Sequence, residues 1–203
     1  MIMDLFSTPL YRGKVYVPES DLADIKSCVE YKRNPSDNGF VSTDKYILNS
    51  YGTIKNQVKA HLDDYAHGVI GICDDIKMRL MNSWVMSHVR GDFAPNHYHT
   101  NSVISGVLYL QVPENSGDIY FVKDQDEQDI LSRTINVPKV PNNYNSANKK
   151  ICVSAGDLIL FPSKLIHYVP ASNSDEMRFC IAFNVMPRDF VGEDELLNYI
   201  SFK

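Results

Sequence analysis

The 203-residue sequence has no apolar run approaching the roughly 18 residues of a membrane-spanning helix, no block of Lys or Arg, no Cys-x-x-Cys pair and no internal repeat. The first absence argues against a helical membrane anchor. The second removes the electrostatic footprint of a nucleic-acid binder, and a net charge of −5 points the same way. Residues 1–17 carry Asp4, Arg12 and Lys14 and no apolar h-region, so no secretory signal is expected. The cysteines number four (Cys28, Cys73, Cys152 and Cys180) and are scattered, which predicts free thiols in a reducing cytoplasm. Hydrophobic residues at 44% and charged residues at 22% describe an ordinary globular chain with material for a sizeable core. The length suits one domain, 1–203.

The chain divides by hydrophobic period. Ser20, a candidate helix cap, precedes Leu22, Ile25 and Val29 at helical spacing; Thr53 precedes Ile54, Val58, Leu62 and Tyr65. A turn cluster, residues 34–39, lies between them. Residues 1–76 are therefore read as helical support. From about Lys77 the period becomes two: Met78, Leu80, Asn82, Trp84, Met86 and His88 share one strand face. Further strands are expected at 103–112, 117–122, 151–153, 157–161, 166–169 and 178–185, punctuated by Pro113, Pro162 and Pro170. Residues 123–150, polar and containing Pro138 and Pro141, read as a lid loop. Many short strands after two helices predict a mainly β (α+β) fold, a β-sandwich or jelly roll over 77–190 backed by N-terminal helices.

His97-Tyr98-His99 lies just before an apolar strand. On an extended chain residues two apart point the same way, about 6.6 Å from one another, so both imidazoles can close on one cation while Tyr98 points away. His167 follows the segment Gly156 to Pro162, and if the two stretches are neighbours three imidazoles converge on Fe, Zn, Cu or Ni. Otherwise the pair is a surface feature and His167 a capped core residue. Arg178 begins a strand whose alternation sets Arg178, Cys180, Ala182 and Asn184 against Phe179, Ile181, Phe183 and Val185. A guanidinium among small side chains leaves a slot for a carboxylate; the plainer reading is an exposed ion pair. His88 is read as a satisfied core histidine, and His61 and His67 as solvated.

Together these motifs resemble the iron(II)/2-oxoglutarate oxygenase superfamily, built on a double-stranded β-helix of jelly-roll or cupin-like type. More closely, the chain is similar to a 2-oxoglutarate–iron(II) oxygenase family of bacteria and phages. The resemblance rests on Leu5–Pro9, His97-x-His99, Ile104–Leu110, Gly156–Ser163 with His167, and Arg178 leading to Ile181–Asn184. It implies an oxidoreductase with Fe(II) on His97, His99 and His167 and 2-oxoglutarate as cosubstrate, its far carboxylate on Arg178. Tyr109, Asn82 and Asn184 are candidate cosubstrate contacts, with a core role for Tyr109 and a backbone partner for Asn82 as alternatives. Two positions depart from the superfamily pattern. His99 stands where a carboxylate is usual, and Cys180 where a hydroxyl is common. Asp92 and Asp118 carry carboxylates but stand off the motif.

The activity implied is a dioxygenase, in the first instance a hydroxylase. A cupin-like three-histidine metalloenzyme without 2-oxoglutarate is the competing reading; against it, Val103 and Ile104 occupy the stretch where a cupin places Glu. A non-catalytic jelly-roll binding protein is the third. The substrate, a small molecule or a peptide, is not legible, and a homo-oligomer stays open.

Overall fold

A computed structural model describes residues 7–27, 29–35, 38–123, 140, 142–192 and 199–202. In chain order the elements are β1 (Tyr11–Lys14), α1 (Glu19–Ser27), β2 (Tyr31–Arg33), β3 (Phe40–Ser42) and α2 (Gly52–Asp63). The β-rich half adds β4 (Met78–His88), β5 (Ala94–His97), β6 (Ile104–Gln111), β7 (Ile119–Val122) and β8 (Asn148–Ile151). It continues with β9 (Asp157–Pro162), β10 (His167–Val169), β11 (Arg178–Pro187), β12 (Phe190–Val191) and β13 (Ile200–Ser201). A seven-stranded sheet, β1-β9-β6-β11-β4-β3-β2, faces a four-stranded sheet, β5-β10-β7-β8, and every strand pairing is antiparallel.

The larger sheet is covered on both faces, so its strands carry two apolar sets. On the helical side Ile104, Leu108, Leu158, Leu160, Ile181, Phe183 and Val185 pack with Ile54, Val58 and Leu62 of α2. Each fully buried aliphatic side chain there contributes about 1.5–3 kcal/mol. On the inner side Tyr109, Ile119, Phe121, Ile159, Phe161 and Cys180 fill the space between the sheets. Gly106 sits on the helical face, where an added Cβ would fall 2.2 Å from the Phe183 ring.

The structure amends the sequence reading at several points. Residues 1–76 supply β1, β2 and β3 to the main sheet as well as helices. α1 starts at Glu19, because the Pro18 carbonyl accepts from the Leu22 N–H; Ser20 lies inside the first turn and its hydroxyl meets Asp21. α2 starts at Gly52 and has no side-chain cap. β4 does not keep one face. Asn184 pairs with Asn82 but Val185 with Leu80, so Met81 is an extra residue. This bulge turns Leu80 and Met78 toward the helical core and leaves Met86 on the inner side.

β5 forms where a break was expected, and β8 begins at Asn148, inside the stretch read as a lid, and runs to Ile151, where a strand was expected. Most of that stretch, Cys28 and Leu5-Phe6 lie outside the described residues. His61 is tied rather than solvated, with Nδ1 2.8 Å from the Tyr11 hydroxyl and Nε2 3.0 Å from the Lys14 carbonyl. His67 Nδ1 likewise bonds the Ile72 carbonyl. Among the described residues Cys73 and Cys152 are free thiols, and no helix is long and apolar enough to cross a membrane.

Candidate metal centre and cosubstrate pocket

His97 ends β5, His167 opens β10, and the two are direct partners across that ladder. His99 lies two residues beyond, held by its N–H on the Ser163 carbonyl at 2.9 Å. Ring centroids are 4.2 Å apart for His97–His167, 5.3 Å for His97–His99 and 5.2 Å for His99–His167. One ligand nitrogen from each ring lies within 4.8 Å of the others. Tyr98 points outward and is 58% exposed. The three rings thus converge across a strand end, as the spacing allows.

The backbone fixes which nitrogen two of the rings present. A carbonyl oxygen only accepts, so His97 Nδ1–H donates to Pro95 at 2.7 Å and His167 Nδ1–H to Leu165 at 2.9 Å. Both Nε2 lone pairs are left for a cation, and the backbone holds each ring in place. Burial, with repulsion from His97, pulls His167 down to about 3 and His99 to about 4. Both are neutral at pH 7, the form a metal requires. Phe161 and Phe121 wall the His167 ring at centroid distances of 4.8 and 5.9 Å, and the Trp84 ring is 6.3 Å from His99.

Arg178 is only 3% exposed, which rules out the surface ion-pair reading. Its Nη1 donates to the Gly117 carbonyl at 3.0 Å, and its guanidinium carbon lies 5.0 Å from the Tyr109 ring centre. Arg178 Nε and the Tyr109 hydroxyl are both buried without a hydrogen-bond partner among the described residues. Burial pushes the Tyr109 phenol far up, so it stays protonated and can donate. A buried cation with no salt bridge among the described residues is costly, and its own Nε together with the Tyr109 hydroxyl suits an incoming anion.

Neither off-motif carboxylate joins the histidines. Asp92 accepts from Arg33 at 2.9 Å and from the Val89 N–H, while Asp118 pairs with Lys150 at 2.8 Å and accepts from the Val153 N–H. Asn82 and Asn184 face each other across β4 and β11, six residues along β11 from Arg178. Asn184 Oδ1 accepts from the Ser105 hydroxyl at 2.9 Å; Asn82 Oδ1 is buried without a partner among the described residues. His88, opposite Arg178, is not a satisfied core residue, for its Nε2 is buried and unpartnered among the described residues. Burial and the charge of Arg178 pull it down to about 4, so it is neutral. Its ring lies against Gly39, where an added Cβ would come within 2.3 Å. The sequence holds no local signal for this contact.

Two facing sheets with a three-histidine cluster and a buried arginine between them define a metal-dependent double-stranded β-helix protein. A family model described as "Putative 2OG-Fe(II) oxygenase" matches residues 82–184, just over half of the chain. The chain belongs to this family, and with it to the oxidoreductases that use iron and 2-oxoglutarate. No curated protein matches the sequence.

Solved structures share the fold. SnoN, a non-heme alpha-ketoglutarate-dependent epimerase of nogalamycin biosynthesis, superposes with a TM-score of 0.61 at 13% identity, over 89% of this chain and 78% of that one. A 2OG-Fe(II) oxygenase family oxidoreductase from Burkholderia pseudomallei gives 0.58 at 12%, over 87% and 83%. HygX from Streptomyces hygroscopicus, with nickel and 2-oxoglutarate bound, gives 0.55 at 14%, over 97% and 93%.

Proposed function

We propose that the chain is a 2-oxoglutarate-dependent hydroxylase in which His97, His99 and His167 hold Fe(II) while Arg178 and Tyr109 hold the far carboxylate of 2-oxoglutarate. The observation that carries this is Arg178: a cation in the protein interior, on the face of β11 whose Cys180 packs between the sheets, with buried donors on itself and on Tyr109 that have no hydrogen-bond partner among the described residues. A three-histidine enzyme without a diacid cosubstrate has no use for that guanidinium.

When bound, iron with 2-oxoglutarate supplies the oxidising power: dioxygen places one oxygen in a substrate C–H bond and one in succinate, and carbon dioxide leaves. The chain's own residues do the rest. His97 and His167 present Nε2 because their Nδ1–H groups are held by carbonyls. Arg178 and Tyr109 fix one end of the diacid and thereby orient the other. Phe121, Ile159 and Phe161 keep water from the His167 side. With His99 in place of a carboxylate, the protein would add no negative charge to the metal, so Fe(II), two cosubstrate carboxylates and one guanidinium would leave one positive charge in the site.

The substrate is read as a small molecule or a peptide. The exposed free thiols of Cys73 and Cys152 support a reducing, cytoplasmic setting. The test is an anaerobic titration with Fe(II) and 2-oxoglutarate. A visible charge-transfer band that needs both is the expected result. Metal uptake indifferent to 2-oxoglutarate overturns the proposal in favour of a plain three-histidine enzyme, and no metal uptake leaves a non-catalytic jelly roll.

A further inference from the structure

On the reading above, 2-oxoglutarate lies between Arg178 and the histidines, and the inner face of the larger sheet can be measured against it. Along β11 the inward residues run Arg178, Cys180, Ala182, Asn184; along β4 they run His88, Met86, Trp84, Asn82, directly opposite. Arg178 to Asn184 is six residues, about 20 Å of strand at 3.3–3.4 Å per residue. An extended five-carbon diacid, with its terminal oxygens, covers about 7 Å, the reach of two residues. The guanidinium leans over Tyr109, whose Cα partner is Cys180. The metal end is marked by Trp84, 6.3 Å from the His99 ring and opposite Ala182. The cosubstrate is used up between these two levels. Asn82 and Asn184 stand one step further on, past the metal.

That step is polar, supported and unused. Asn184 is held through Ser105, whose hydroxyl is 2.8 Å from that of Ser163, itself 2.7 Å from that of Ser102. Ser105 and Ser163 are each 1% exposed, so the chain is built into the interior. Asn82 Oδ1 is buried with no partner among the described residues, although a buried polar atom normally has one. Two carboxamides offer both a donor and an acceptor and carry no charge. Their inward neighbours on the three central strands, Trp84, Ala182, Ser105 and Val107, are uncharged too. A charged group placed there would lack a counter-ion.

We infer that Asn82 and Asn184 read the primary substrate rather than the cosubstrate, and that they select a neutral group able both to donate and to accept, of the carboxamide or lactam class. The inference rests on the 2-oxoglutarate reading but separates from it experimentally. Wild type, Arg178→Ala, Asn82→Leu and Asn184→Leu are loaded anaerobically with Fe(II), and 2-oxoglutarate is titrated by the charge-transfer band. At saturating 2-oxoglutarate, N-acetylglycinamide (neutral) and N-acetylglycine (charged) are titrated by ligand-observed NMR.

The expected result has three parts. 2-Oxoglutarate affinity falls at least 30-fold in Arg178→Ala and stays within threefold of wild type in both asparagine variants. The neutral probe binds wild type at least fivefold better than the acid. That binding falls at least fivefold in the asparagine variants. A loss of 2-oxoglutarate affinity in Asn82→Leu comparable to Arg178→Ala overturns the inference, as does a neutral probe that fails to bind wild type or binds the variants equally. If Asn184→Leu does not fold, Asn82→Leu decides, since it removes no hydrogen bond found among the described residues. Wild type that takes no 2-oxoglutarate refutes the functional reading itself, a different outcome.

Discussion

His97 and His167 stand opposite each other across an antiparallel ladder, with ring centroids 4.2 Å apart, although seventy residues separate them in sequence. The ladder sets their spacing, and two backbone carbonyls set which nitrogen each presents. The site is thereby organised by main chain before any cation arrives.

His167→Ala is expected to lose iron. Removing one of three ligands should lower metal affinity by 100-fold or more, measured as metal content after gel filtration, because no described carboxylate stands close enough to replace it. His99→Asp should retain metal, since it supplies the oxygen ligand usual at that position. Stoichiometric iron in His167→Ala would remove that residue from the ligand set.

Arg178→Ala should weaken 2-oxoglutarate by about 2–5 kcal/mol, the range for breaking a buried charge pair. Without ligand the variant should melt no lower than wild type, because a buried cation with no salt bridge among the described residues is itself destabilising. Thermal melts without ligand, with Fe(II), and with Fe(II) plus 2-oxoglutarate check both halves: 2-oxoglutarate raises wild type beyond Fe(II) alone and leaves the variant unmoved.

Asp157 is fully buried on β9, with Arg12 and Lys14 of β1 on its two oxygens and the Ser154 N–H on Oδ2. Burial alone would raise its pKa, yet these partners outweigh that and hold it below the usual carboxylate value. A depressed folded value stabilises above the unfolded value, near pH 4, and that contribution is lost as pH falls through the folded one. Asp157→Asn should therefore cost about 1–3 kcal/mol at pH 7, with a gap to wild type that narrows below pH 4. Urea unfolding at several pH values measures it, and a pH-independent gap would contradict the ion-pair account.

Gly106→Ala should destabilise by about 1–3 kcal/mol, the usual cost of overpacking. Its Cβ would meet the Phe183 ring at 2.2 Å and Leu160 at 2.8 Å, both in the core between sheet and helices. Chemical denaturation reads the loss directly.

Some of this was legible in one dimension because it depends on short-range geometry. The alternation of β11 predicts its two faces, and Phe179, Ile181, Phe183 and Val185 do pack on the helical side while Cys180 faces inward. Residues 97 and 99 point the same way because extended backbone has a period of two. The motifs from His97 to Arg178 were enough to suggest the family. Other features depend on partners distant in sequence. The bulge at Met81, which splits the face of β4, exists only in the register against β11. β1 and β3 are short segments stabilised as strands by β9 and β4, and local periodicity does not register such pairing. That Arg178 is buried with no salt bridge among the described residues, and that Asn82 comes to stand opposite Asn184, follows from which strands became neighbours. Backbone period is a property of consecutive residues, whereas register and burial are properties of the closed fold.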